Sequence, residues 1–146
     1  MKLQTEIQPL LRSFTAWALT DVNLVGAVLV GSHARGTARP DSDVDLVLLA
    51  VDPALYIQQP GWTSRFGCVA RCQVEDYGPL TSLRVDYENG LEVEFGLAAP
   101  SWTAFPLDAG TRRVLADGAS LLFEREPLLS RAIYAARPQL PPPVVD

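Results

Sequence analysis

The chain has one lysine (Lys2), one histidine (His33), one methionine and two cysteines. Cys68 and Cys72 have three residues between them, and no second cysteine pair or further histidine completes a tetrahedral zinc set, so they read as reduced thiols. Basic residues number 12 against 17 acidic ones, a formal charge of −5. That balance lacks the clustered lysine and arginine that would track a nucleic-acid backbone, and it argues against long DNA or RNA as the partner. No apolar run reaches the roughly 20 residues of a membrane helix, and Glu6 and Pro9 interrupt any apolar block at the start. A soluble, cytoplasmic protein without a signal peptide is the expectation.

Hydrophobic residues make up 48% of the 146, enough for one core and too few residues for a second large domain. Residues 1–136 read as a single domain. Residues 137–146, with Pro138, Pro141, Pro142 and Pro143, read as an extended, poorly packed tail. No internal repeat is found.

The segment Gln8–Leu19 carries Leu10, Leu11, Phe14, Trp17 and Ala18 at helical spacing, with Pro9 suited to the first helical position. Val22–Val30 is a continuous apolar run and predicts an interior strand. Gly31–Arg39 turns to small and polar residues, a turn with a short helical segment, and Pro40 holds Arg39 extended. Asp43–Ala50 returns to strand character. Pro53–Thr63 is ambiguous between loop and short helix. Phe66–Glu75, Leu80–Tyr87 and Leu91–Leu97 predict three further strands, the last two joined by a hairpin at Asn89–Gly90. Arg112–Asp117 predicts a short helix capped by Thr111 and stopped by Gly118, followed by an edge strand at Ser120–Phe123 and a helix at Pro127–Ala136.

Chemistry concentrates between Val28 and Leu49. Strand residues two apart share a face, so Asp43 and Asp45 project together while Val44 and Leu46 point the other way. Two like charges side by side gain nothing unless a cation separates them. Hard oxygen donors suit Mg²⁺ or Mn²⁺. Gly31 lets the backbone approach phosphates closely, and Ser32 adds a hydroxyl beside an anion cradle of backbone N–H groups. In the late strand Glu92 and Glu94 also share a face, as they would on any strand with one wet side. Arg35 and Arg39 suit phosphate or substrate and equally suit a solvated connection; Arg112 and Arg113 carry the same ambiguity with less support. His33 reads as a phosphate or solvent contact, and Trp17, Trp62 and Trp102 as core or rim aromatics.

Gly31-Ser32, ten residues, then Asp43-Val44-Asp45, with Arg35-Gly36 and Pro40-Asp41-Ser42 between them, resembles the signature of the DNA polymerase beta-like nucleotidyltransferase superfamily. The order of elements over the first hundred residues or so is most similar to its minimal nucleotidyltransferases. The resemblance implies an α+β fold with a mixed sheet of about five strands and flanking helices. It also implies a third carboxylate in a later strand, best matched by Val93-Glu94-Phe95. Asp43, Asp45 and Glu94 are therefore the expected catalytic and metal-holding set, with Glu92 in reserve, and Gly31, Ser32 and Arg35 the expected nucleotide-binding residues. A glutamate where aspartate is commoner moves the carboxylate outward by about one bond length.

Two classes of function follow. The first is Mg²⁺- or Mn²⁺-dependent transfer of a nucleoside monophosphate, AMP from ATP or another nucleoside triphosphate, to a hydroxyl of a protein or small molecule. The resemblance to minimal members implies a pairing in which a small helical, HEPN-like toxin is the acceptor and the nucleotidyltransferase its antitoxin. An antibiotic-modifying enzyme of the aminoglycoside type is the variant within that class. The second is a catalytically weak, partner-docking or nucleotide-binding module.

Overall fold

The computed structural model describes residues 2–137. The helix α1 (Lys2–Thr20) buries Ile7, Leu10, Leu11, Phe14 and Ala18 along one stripe. It starts earlier than the sequence predicts, and Pro9 lies inside it rather than at its first position. Pro9 sits on the exposed face, where water can satisfy the carbonyl that loses its helical partner. The reading of the tail, from Pro138 onward, falls outside the described residues.

Six strands form one sheet in the order β3-β4-β5-β2-β1-β6, one more than the expected five. They are β1 (Leu24–Val30), β2 (Val44–Ala50), β3 (Val69–Asp76), β4 (Thr81–Tyr87), β5 (Glu92–Ala98) and β6 (Ala119–Glu124). The pair β2–β5 is parallel and the other pairs are antiparallel. The interior strands β1 and β2 are nearly continuous apolar runs because helices cover both faces. The edge strand β3 is mostly exposed.

Alternation along the strands sorts side chains onto two layers. Val44, Leu46, Leu48, Val93, Phe95, Leu83 and Val85 point toward α1, α3 (Pro53–Gln58) and the 3-10 turn Pro60–Phe66. An aromatic cluster fills this layer: Trp62 stacks on Trp17 with ring centroids 5.1 Å apart and meets Phe95 edge-on at 4.9 Å. Phe66 therefore belongs to the turn that plugs the core and not to β3, whose predicted start was three residues early.

The opposite layer holds Val28, Val30, Val47, Leu49 and Ala98 under α4 (Ala109–Ala116) and α5 (Leu128–Ala136). Here one expectation is corrected. The cap of α4 is Asp108, whose carboxylate accepts from the Gly110 N–H, while Thr111 is buried inside the helix and donates to the Trp102 carbonyl 2.9 Å away. Where β1 finishes and β2 begins, two cavities open on the sheet, one of them lined in part by α4.

Candidate active site

Strand register brings the acidic residues together. Val30 pairs with Asp45 across β1–β2, Asp45 with Glu94 across the parallel β2–β5 ladder, and Glu94 with Arg84 across β5–β4. The three charged side chains of this row share a face, and Asp43 joins them from two residues before Asp45. One carboxylate oxygen each from Asp43, Asp45 and Glu94 lies within 4.8 Å of the others. Glu94 Oε1 is buried without a hydrogen-bond partner, the side-chain oxygen of which this holds among the described residues. An acceptor lone pair in that state is costly unless something electropositive meets it.

Burial acts first on both aspartates. It raises Asp45 to about 7, with the Glu94 and Asp43 charges adding to the rise. Asp43 rises to about 6 by burial and by its contact with Glu92, against the opposing pull of Arg84. The two aspartates thus disfavour their ionised forms and would be relieved by a cation.

Arg84 is the functional residue that sequence reasoning missed. Its guanidinium donates to Glu75 Oε1 at 2.7 Å, Glu92 Oε1 at 2.5 Å and Asp43 Oδ2 at 3.2 Å, and lies 3.6 Å from Glu94 Oε2. Those contacts hold the Glu92 and Glu75 carboxyls below their ordinary values and raise Arg84 further above its own. Glu92, the reserve ligand, is thereby turned toward Arg84, and the group of three is closed by Glu94. The hairpin contained the signal: counting five residues outward on each side of Asn89 sets Arg84 opposite Glu94.

The glycine-serine turn adjoins the acids. Gly31 has φ +74°, and a Cβ there would overlap Asp45 Oδ2, so only glycine lets the turn lie against the carboxylate. It opens the five-residue α2 (Gly31–Arg35), and Ser32, Arg35, Asp41 and Ser42 line a shallow cavity of about 510 Å³ with Asp43 and Asp45. Arg35 lines that cavity while pairing with Asp117 Oδ2 at 3.2 Å, which ties α2 to the end of α4. His33 is turned away, its Nε2 3.3 Å from the Ser42 carbonyl, and borders a groove beneath α1. Cys68 and Cys72 are free, exposed thiols. No helix among the described residues is long and apolar enough to cross a membrane.

A family model described as a nucleotidyltransferase domain matches residues 18–92, half of the chain. The match includes Gly31, Ser32, Asp43 and Asp45 and ends two residues before Glu94. No curated protein matches the chain. Among solved structures, an aminoglycoside 6-adenyltransferase from Bacillus subtilis aligns over 62% of this chain and 34% of its own, with TM-score 0.50 and 17% identity, a likeness of fold. A nucleotidyltransferase-like protein from Exiguobacterium sibiricum aligns over 89% of this chain and 38% of its own, with TM-score 0.48 and 16% identity. The GLD-2/RNP-8 complex aligns over 77% and 36%, with TM-score 0.47 and 21% identity. The chain spans about a third of the length of each solved chain it matches.

Proposed function

The chain belongs to the nucleotidyltransferase domain family, and from that premise we propose that it moves a nucleoside monophosphate, AMP from ATP, onto a hydroxyl acceptor with the help of a divalent cation. The observation that carries the reading is the unpartnered Glu94 Oε1 inside a cluster of three acids that abuts the Gly31–Ser32 turn. Asp43, Asp45 and Glu94 offer the hard oxygen donors that Mg²⁺ or Mn²⁺ takes. Such an ion, when bound, neutralises phosphate charge and lowers the pKa of the attacking hydroxyl.

The chain's own residues supply the rest. Gly31 allows the backbone to approach the phosphates, the Ser32 hydroxyl adds a donor, and the short turn presents backbone N–H groups. Arg84 holds Glu92 and Glu75 aside and leaves Glu94 Oε1 unpartnered beside Asp45 and Asp43. The reaction is an in-line displacement: the acceptor oxygen bonds to the α-phosphorus, the bond to the β-phosphate breaks, and pyrophosphate departs. A protein acceptor, in the toxin–antitoxin pairing that the resemblance implies, and a small molecule are both chemically served by this arrangement.

The test is Mg²⁺-dependent transfer of label from [α-³²P]ATP. Asp43→Ala and Asp45→Ala are expected to lower it on the order of 100-fold or more. Absence of nucleotide binding together with absence of transfer would leave the chain a docking module.

A further inference from the structure

A second cavity, of about 420 Å³, opens on the other side of the acids. Tyr77, Leu80, Trp102 and Val114 line it together with Asp45 and Glu94. Its volume is that of a small-molecule site. Asp45 lines both this cavity and the polar one at Gly31–Ser32, so the two meet at the carboxylates.

Their placement on the sheet assigns them different roles. An in-line displacement sets the leaving polyphosphate and the incoming hydroxyl on opposite sides of the phosphorus. With the polyphosphate at the glycine-serine turn beyond β1, the hydroxyl must arrive from the side of β5 and β4. There the second cavity runs, over Glu94 and Ser82 toward the β3–β4 turn. Building on the activity put forward above, we propose that this cavity is the acceptor subsite and takes a small hydroxyl-bearing molecule with a flat, apolar body. Tyr77 lines the cavity and is 53% exposed, so its ring is available for stacking. Besides Asp45 and Glu94, the charged lining groups are Asp108 and Arg113, one of each sign. A cavity of this volume with Tyr77, Leu80, Trp102 and Val114 in its lining suits a ring better than a protein surface.

Phenyl β-D-glucopyranoside is a suitable probe, with binding to the whole chain followed by saturation-transfer NMR in the absence of metal and nucleotide. Saturation is expected to be strongest on the phenyl protons. Tyr77→Ala, at an exposed loop position, should weaken binding about fivefold by removing one stacking face. Val114→Trp should abolish it by filling part of the cavity, with circular dichroism reporting whether that variant folds. Lack of saturation transfer, or equal binding by wild type and Tyr77→Ala, would overturn the assignment. Displacement of the probe by ATP with Mg²⁺ would overturn it too, giving the cavity to the nucleoside. Probe binding without nucleotide or metal reports on the cavity and the labelled-AMP assay reports on the transfer, so failure of one is distinguishable from failure of the other.

Discussion

At the scale of single residues, the site trades stability for charge. Burial raises the carboxyl of Asp45 to about 7, so folding favours its protonated form. The stability it contributes is fully present below pH of about 4 and is lost as pH rises through about 7. Asp43, raised to about 6, acts in the same direction. The metal-free protein should therefore melt at a lower temperature at pH 8 than at pH 5 from this cause, and Mg²⁺ should restore part of the difference. Asp45→Asn, which cannot ionise, is expected to stabilise the metal-free protein at pH 8 by about 1–2 kcal/mol, allowing for water at this half-buried site. Thermal melts with and without Mg²⁺ check both statements; a variant that melts lower than wild type at pH 8 would contradict them. Arg84 pulls the other way. Removing it by Arg84→Gln leaves Asp43, Glu75, Glu92 and Glu94 without their shared counter-charge, and a loss of about 1–3 kcal/mol is expected in the metal-free state. The deficit should shrink as Mn²⁺ is added, since the ion supplies charge to the same acids.

At the scale of elements, the turn at Gly31 couples backbone to chemistry. Gly31→Ala meets two penalties, a left-handed φ and a methyl driven into Asp45 Oδ2. A cost of about 1–3 kcal/mol is expected, with a larger fall in transfer because Asp45 must turn away; melting curves beside the labelled-AMP assay separate the two effects. Periodicity made most elements legible. The apolar runs of β1 and β2, the alternation of β4 and β5 and the Asn89–Gly90 hairpin lie within two residues of their predicted positions, because each is dictated by a local pattern. What local pattern does not contain was misread. Thr111 and Asp108 are both good caps, and the choice between them depends on the Trp102 carbonyl, which lies outside the helix and accepts from the Thr111 hydroxyl. Phe66 has strand propensity but is drawn into the aromatic cluster around Trp62. Asp43 and Asp45 were readable from spacing, and Glu94 from its match to the family pattern. Arg84 required pairing the two strands of the hairpin residue by residue.

At the scale of the whole molecule, the family match ends at residue 92 while the packed structure continues to α5. The later elements are integral to the sheet. β6 supplies the second hydrogen-bonding partner of β1, and Arg125 beyond it donates to the carbonyls of Leu19, Asp21 and Leu24, closing the corner between α1 and β1. α5 lays Leu129, which is fully buried, against Gly26 so closely that a Cβ there would meet the leucine at 2.9 Å. Leu129→Ala is therefore expected to cost about 2–4 kcal/mol, and the loss should appear in the single unfolding transition of the whole chain. A chain ended at Gly118, before β6, is the stronger test. It keeps Gly31, Ser32, the three acids and Arg84, yet it strips one edge from β1 and uncovers Val28 and Val30. If β6 and α5 belong to the same cooperative unit as the acidic site, this shortened chain should lose its sharp urea transition and its Mg²⁺-induced shift together. Retention of a sharp transition would mean that residues up to Gly118 fold alone and that the α5 layer is an accessory to the site.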